Sequence, residues 1–186
     1  RGSTDDRGEP TTIIDGQGEY TVFCVEGPEE ITTSFENLVI TGGSGVYGGG
    51  MFDLSWGALS VVNAVFTENE AYQGGGLYSY NSDVESTKTV IGSVFEGNSS
   101  FYGGGVFGRG LTVIDSVIKG NTAGSGVGSG GLYIASSTLT NTVVCGNTPG
   151  QVYGGSSSTT DTSCISEMCI DCEACGGDFN GDFEVD

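Results

Sequence analysis

The sequence predicts an all-β chain, a solenoid of parallel strands in about five to six coils with a period near 26 residues and essentially no helix. Three observations carry this expectation. One unit recurs: LVITGGSGVYGGGMF, AVFTENEAYQGGGLY, SVFEGNSSFYGGGVF, SVIKGNTAGSGVGSGGLY and TVVCGNTPGQVYGG. Self-similarity at a period of roughly 20–50 residues signals a repeat architecture. The apolar residues are mainly β-branched and aromatic, as strands favour, and no stretch shows a 3.6-residue apolar period.

Residues 1–10 are polar and read as an irregular segment, and residues 11–155 as the solenoid. The strand-like runs TTIID, YTVFCV and ITTSFENLVI are broken by GQG and EGPEE, which are turn and loop signals. Aligned on a corner residue, the units give Gly43, Asn69, Asn98, Asn121 and Asn147, with steps of 26, 29, 23 and 26. The last glycine of each cluster aligns at Gly50, Gly76, Gly105, Gly131 and Gly155. Insertions such as NSDVEST and AGSGVGS fall in loops. A propeller blade would need about 40–45 residues and is disfavoured.

Each column has a physical reading. Equivalent residues of successive coils stack at roughly 4.8 Å, so like packs on like, and five or six coils make a stack of roughly 25–30 Å. Strand alternation lets only one of two adjacent columns face inward, unless a bulge or the strand corner falls between them and both are buried. The bulky set Ile40, Phe66, Phe95, Ile118 and Val144 is the expected core, rather than Val39, Val65, Val94, Val117 and Val143. Asn69, Asn98, Asn121 and Asn147 are expected to form a structural ladder. Asparagine tolerates the left-handed conformation of a tight corner, and its amide can satisfy corner backbone groups. After each glycine cluster comes a pair: Met51-Phe52, Leu77-Tyr78, Val106-Phe107 and Leu132-Tyr133. If the aliphatics fill the core, Phe52, Tyr78, Phe107 and Tyr133 form an outer aromatic ladder for a glycan, a sister subunit or a covering loop. The opposite orientation is equally compatible with the pattern.

FTEN at Phe66–Asn69 and FEGN at Phe95–Asn98, alternating with GGGL, GGGV and GGL, resemble the FxxN and GGA[ILV] repeats of chlamydial polymorphic outer-membrane proteins and of large secreted bacterial proteins of planctomycete type. The resemblance covers about residues 11–155 and implies a right-handed parallel β-helix. It departs in using Gly where Ala is usual, and Ile or Val for Phe in the later coils.

Residues 156–176 form a Ser/Thr-rich and Cys-rich tail in which Cys164, Cys169, Cys172 and Cys175 have the spacing C-x4-C-x2-C-x2-C. Zinc or an iron–sulfur cluster is one reading. With Cys24 and Cys145 the count is six, and in an acidic chain without histidine disulfides are the favoured reading. Residues 177–186 resemble the start of a dockerin-type calcium loop, with Asp178, Asn180, Asp182, Glu184 and Asp186 as oxygen ligands and calcium as the implied cofactor. Phe183 replaces the usual glycine, and the twelfth ligand position falls after Asp186, so the ten residues do not complete a site. Both ends read as cut from a longer chain.

Five basic residues stand against 24 acidic ones, a net charge of −19, which repels nucleic acid and anionic membranes. No run reaches the roughly 20 apolar residues of a membrane-spanning helix. Catalysis is not expected. There is no histidine to serve as base; only Arg109 and Lys119 lie usefully within the coils, and Lys88 reads as sitting by an inserted loop. Asp53, Asp83, Glu85, Glu96 and Asp115 show no spacing beyond that of a solvated face. The expected function is a secreted or cell-surface structural protein that self-associates into a fibre or layer. A carbohydrate-binding adhesin module is the alternative, and a polysaccharide lyase or hydrolase the next.

Overall fold

The computed structural model describes residues 1–27, 32–80, 87–124, 128–154 and 159–169, and every statement below refers to these. The chain is a parallel β-solenoid. One coil runs through four short strands: Leu38–Thr41, Ser44–Tyr47, Met51–Asp53 and Leu59–Val62. It then returns at Val65–Thr67 beside its own start, in the register Val39↔Val65. Successive coils repeat this path and build four sheets of seven, four, six and six strands, numbered first to fourth in the order the coil meets them.

Strand alternation sets the core. In the first sheet Ile40, Phe66, Phe95, Ile118 and Val144 are buried, and the Phe66 and Phe95 rings stack at 4.5 Å. Met51, Leu77, Val106 and Leu132 of the third sheet face them across the interior, with Val61, Val90, Val113 and Leu139 of the fourth. The valine column beginning at Val39 lies outside, half-buried.

The corners follow one rule at two places, and it corrects an expectation. The left-handed residue is not the ladder asparagine but the residue before it: Gly42, Glu68, Gly97, Gly120 and Gly146, with φ between 55° and 67°. Turning the chain there leaves the following side chain pointing inward, where its amide reaches the coils on either side. The corner between the fourth and first sheets repeats the device. Asn37, Asn63, Gly92, Asp115, Asn141 and Thr162 take positive φ, and the next residues are Leu38, Ala64, Ser93, Ser116, Thr142 and Ser163. Ser93 Oγ accepts from Ala64 N at 3.1 Å, and Ser116 Oγ from Ser93 N at 3.2 Å. This hydroxyl ladder went unnoticed in the sequence.

The glycine clusters pinch the coil. An added Cβ at Gly43 would collide with the Gly49 carbonyl, so the chain leaves and re-enters the coil at one narrow neck, and the second sheet stands out as a lobe. The second glycine of each later cluster, at Gly75, Gly104 and Gly130, lies against the carbonyl of Ser99, Thr122 or Thr148 in the next coil. The third glycine faces the core: a Cβ on Gly76 would sit 2.8 Å from Phe95 Cδ1.

Strand pairing also runs past residue 155. Thr159–Asp161 joins Thr138–Thr140, and Cys164–Ser166 joins Val143–Cys145, within the stretch read above as a tail. The polar composition of that stretch hid the pattern. In residues 1–10, an antiparallel bridge links Thr4 and Pro10.

Candidate functional site

The third sheet puts its aliphatic residues inside, which leaves Phe52, Tyr78, Phe107 and Tyr133 on the outer face, each half-buried. Their rings stack coil on coil: 5.5 Å for Phe52–Tyr78, 5.2 Å for Tyr78–Phe107 and 4.8 Å for Phe107–Tyr133. The last two pairs are nearly parallel, at 4° and 10°, so those faces are spent on one another and the ring edges look outward. The ladder has a fifth rung that the glycine alignment missed. Leu132 pairs with Val152 and Tyr133 with Tyr153, so Gln151 occupies the position equivalent to Gly131, to which the repeat alignment had assigned Gly155. Tyr153 stacks on Tyr133 at 4.7 Å and is half exposed. The doublet Gly154-Gly155 is a decoy; the signal was the pair Val152-Tyr153.

The lobe supplies more aromatic surface. Tyr47 lies 5.0 Å from Tyr78, and Tyr80 6.5 Å from it, making a continuous patch with Phe52 at one end of the ladder. Burial, with the neighbouring phenols Tyr47 and Tyr80, pushes the Tyr78 hydroxyl above its usual value. Toward the other end, Tyr102 stands edge-on to both Tyr72 and Tyr133, at 5.8 and 5.9 Å. Between lobe and ladder runs a groove of about 460 Å³ lined by Tyr72, Gln73, Tyr102, Phe107, Tyr133 and Tyr153.

The asparagine ladder is a continuous buried chain. Asn98 Nδ2 donates to Phe66 O and to Asn121 Oδ1, both at 2.9 Å, while Asn98 Oδ1 accepts from Asn69 N and Nδ2. Asn121 and Asn147 repeat the pattern. Gln151 ends it: its Oε1 accepts from Asn147 N and Nδ2, and its Nε2 donates to Asn147 O and Glu167 Oε2. These groups are saturated by one another, so the ladder is a structural element.

The acidic and basic residues considered for catalysis are dispersed and occupied. Glu96 pairs with Lys119 at 3.4 Å, and Asp115 accepts from Asn141 Nδ2 at 2.6 Å. Arg109 lies over the Tyr80 ring. Asp83 and Glu85 are outside the described residues. Asp53 and Lys88 form a pair invisible in the sequence, since 35 residues separate them. Lys88 Nζ sits 2.9 Å from Asp53 Oδ2 in the core, and both side chains are fully buried. Lys88 also donates to Ser55 O and Oγ, while Ser55 N, Ser55 Oγ and Ser79 Oγ donate to Asp53. Lys88 occupies the inward column of Leu59 and Leu111, which gave no hint of a charge.

Cys145 and Cys169 form a disulfide, and Cys164 is disulfide-bonded as well. Cys24 is a free, exposed thiol, raised above its usual value by partial burial and by Glu26. Cys172 and Cys175 lie outside the described residues, as do the proposed calcium ligands Asp178, Asn180, Asp182, Glu184 and Asp186. Comparisons with protein-family models, curated proteins and solved structures return no match. The functional reading therefore rests on geometry. Among the described residues, no helix is long and apolar enough to cross a membrane.

Proposed function

We propose that the protein is a non-catalytic structural β-solenoid of the extracellular space or cell surface, which self-associates laterally through its aromatic face. The observation that carries this reading is the patch of Tyr47, Phe52, Tyr78 and Tyr80 on one side of the stack: the first three rings touch one another, Tyr80 joins through Tyr78, and Tyr47 and Tyr80 are exposed. A contiguous exposed apolar patch marks an interaction surface. The disulfides favour an oxidising compartment. A fibre or layer follows if that contact repeats along neighbouring solenoids. Charge opposes association at −19 per chain, so screening by salt strengthens it.

Sedimentation velocity across a concentration series, in low and high salt, tests the reading. Oligomers that grow with salt and vanish in Tyr47→Lys/Tyr80→Lys are expected, and a strict monomer at every concentration overturns it. A second reading, carbohydrate binding, is favoured by the uncharged groove between lobe and ladder, which the rings of Tyr72, Tyr102, Tyr133 and Tyr153 line.

A further inference from the structure

We propose that this groove is a binding site for an uncharged oligosaccharide lying along the solenoid axis; the proposal rests on the carbohydrate-binding reading and gives it a place and a ligand class. The chemistry of the lining carries the assignment. Five of its six side chains are aromatic, and the sixth, Gln73, is an amide. Aromatic rings pack against the C–H faces of sugar rings, while phenol and amide groups bond to sugar hydroxyls. Among the described residues no charged side chain lines the groove, and the chain carries −19, so an anionic glycan would meet no cation there and a field that repels it.

The shape fits as well. Tyr72 on the lobe and Tyr153 at the end of the ladder are the exposed walls, 49% and 50% accessible. Tyr102, turned edge-on between Tyr72 and Tyr133, is half-buried between them. At Tyr153 the stacking ends among the described rings, and this ring is half exposed, whereas Phe107 and Tyr133 lie face to face. A volume of about 460 Å³ lies within the range of roughly 300–1,000 Å³ typical of small-molecule sites. The walls repeat with the coil spacing, so a linear polymer can run from Tyr153 toward Phe107 without leaving the aromatic lining.

Isothermal titration calorimetry of the intact chain against cellohexaose, xylohexaose and chitohexaose, with polygalacturonate as the anionic control, tests this. The expected result is saturable binding of at least one neutral hexaose and none of polygalacturonate. Tyr72→Ala and Tyr153→Ala should each weaken it at least tenfold, and Ile13→Ala, exposed on the outer face of the first sheet, should leave it unchanged. Both groove residues are half exposed, and an unaltered circular dichroism melt will certify folding. Binding that survives both groove variants but is lost in Tyr47→Ala overturns the groove and keeps carbohydrate binding. Tighter binding of polygalacturonate overturns the ligand class, and no binding of any neutral hexaose overturns both.

Discussion

Removing Lys88 alone is expected to damage this protein more than removing Lys88 and Asp53 together. The ammonium makes three kinds of contact inside the core: the Asp53 carboxylate at 2.9 and 3.1 Å, Ser55 O at 2.9 Å and Ser55 Oγ at 2.7 Å. In Lys88→Leu the carboxylate keeps its neutral donors but loses its only cation in a site closed to water. Breaking a buried pair on one side costs about 3–5 kcal/mol, which for a chain of this length lowers Tm by roughly 6–20 °C. Asp53→Ala strands the ammonium at a similar cost. In Asp53→Ala/Lys88→Leu neither charge remains, and the new leucine sits in the column of Leu59 and Leu111. Replacing a buried pair by apolar residues is often neutral or stabilising, so the double variant should return to within about 2 kcal/mol of the parent. Urea unfolding of the four proteins closes the cycle. Single variants that each cost less than about 1 kcal/mol, or a double variant as costly as the singles added together, would refute the reasoning.

Asn98→Ala should cost about 3 kcal/mol or more in urea unfolding, because Phe66 O, Asn69 N and Asn69 Nδ2 lose partners inside the core. Opening the Cys145–Cys169 disulfide as the double serine variant frees a loop of 24 residues' separation, and a loss of about 3.5 kcal/mol is expected from chain entropy. Gly76→Ala should cost about 1–3 kcal/mol, because its Cβ would meet Gly105 O at 2.7 Å and Phe95 Cδ1 at 2.8 Å; Gly92→Asn, with open space and positive φ, should be tolerated. The raised Tyr78 phenol holds its proton in the folded state above pH 10.0, where the unfolded state releases it. Stability therefore falls as pH rises from there toward the folded-state value, and Tyr78→Phe should flatten that slope in alkaline unfolding curves.

Columns that repeat in type were legible in the sequence; partners of unlike type were not. The Val–bulky–x–x–Asn pattern gave the coil period and the inward column at once, because stacking like on like is what a parallel coil requires. The choice between Tyr78 and Leu77 as the inward residue was not legible, because strand alternation fixes opposition and not direction. It was decided by packing: the aliphatic column meets Ile40, Phe66 and Phe95 across a narrow interior that a second aromatic column would overfill. The lobe was hidden for another reason. Glycines at Gly43, Gly49 and Gly50 read as a corner, whereas the close approach of Gly43 to Gly49 makes them a neck. The groove residues Tyr72 and Tyr102 lie on that lobe, outside the columns that repeat most clearly, and only the neck brings them beside the ladder.

The polar columns raise a question of register that the exceptional residues answer. A stack of near-equivalent coils resists slippage poorly, because Asn69, Asn98 and Asn121 offer the same amide at every level, and Ser93 and Ser116 the same hydroxyl. Coil lengths help: the first-sheet register steps by 26, then 29, then 23 residues, so a slipped coil would strain its loops. The Asp53–Lys88 pair is sharper. Shifting the fourth sheet by one coil against the third would separate the two charges by about one strand spacing of 4.8 Å and leave both buried and unpaired. The same slip would cost the asparagine ladder only its end contacts. Gln151 acts likewise at its own level, since a side-chain amide that meets the ladder and also reaches Glu167 occurs once among the described residues. A uniform ladder thus supplies cohesion, and a single buried ion pair and a single glutamine supply the address of each coil.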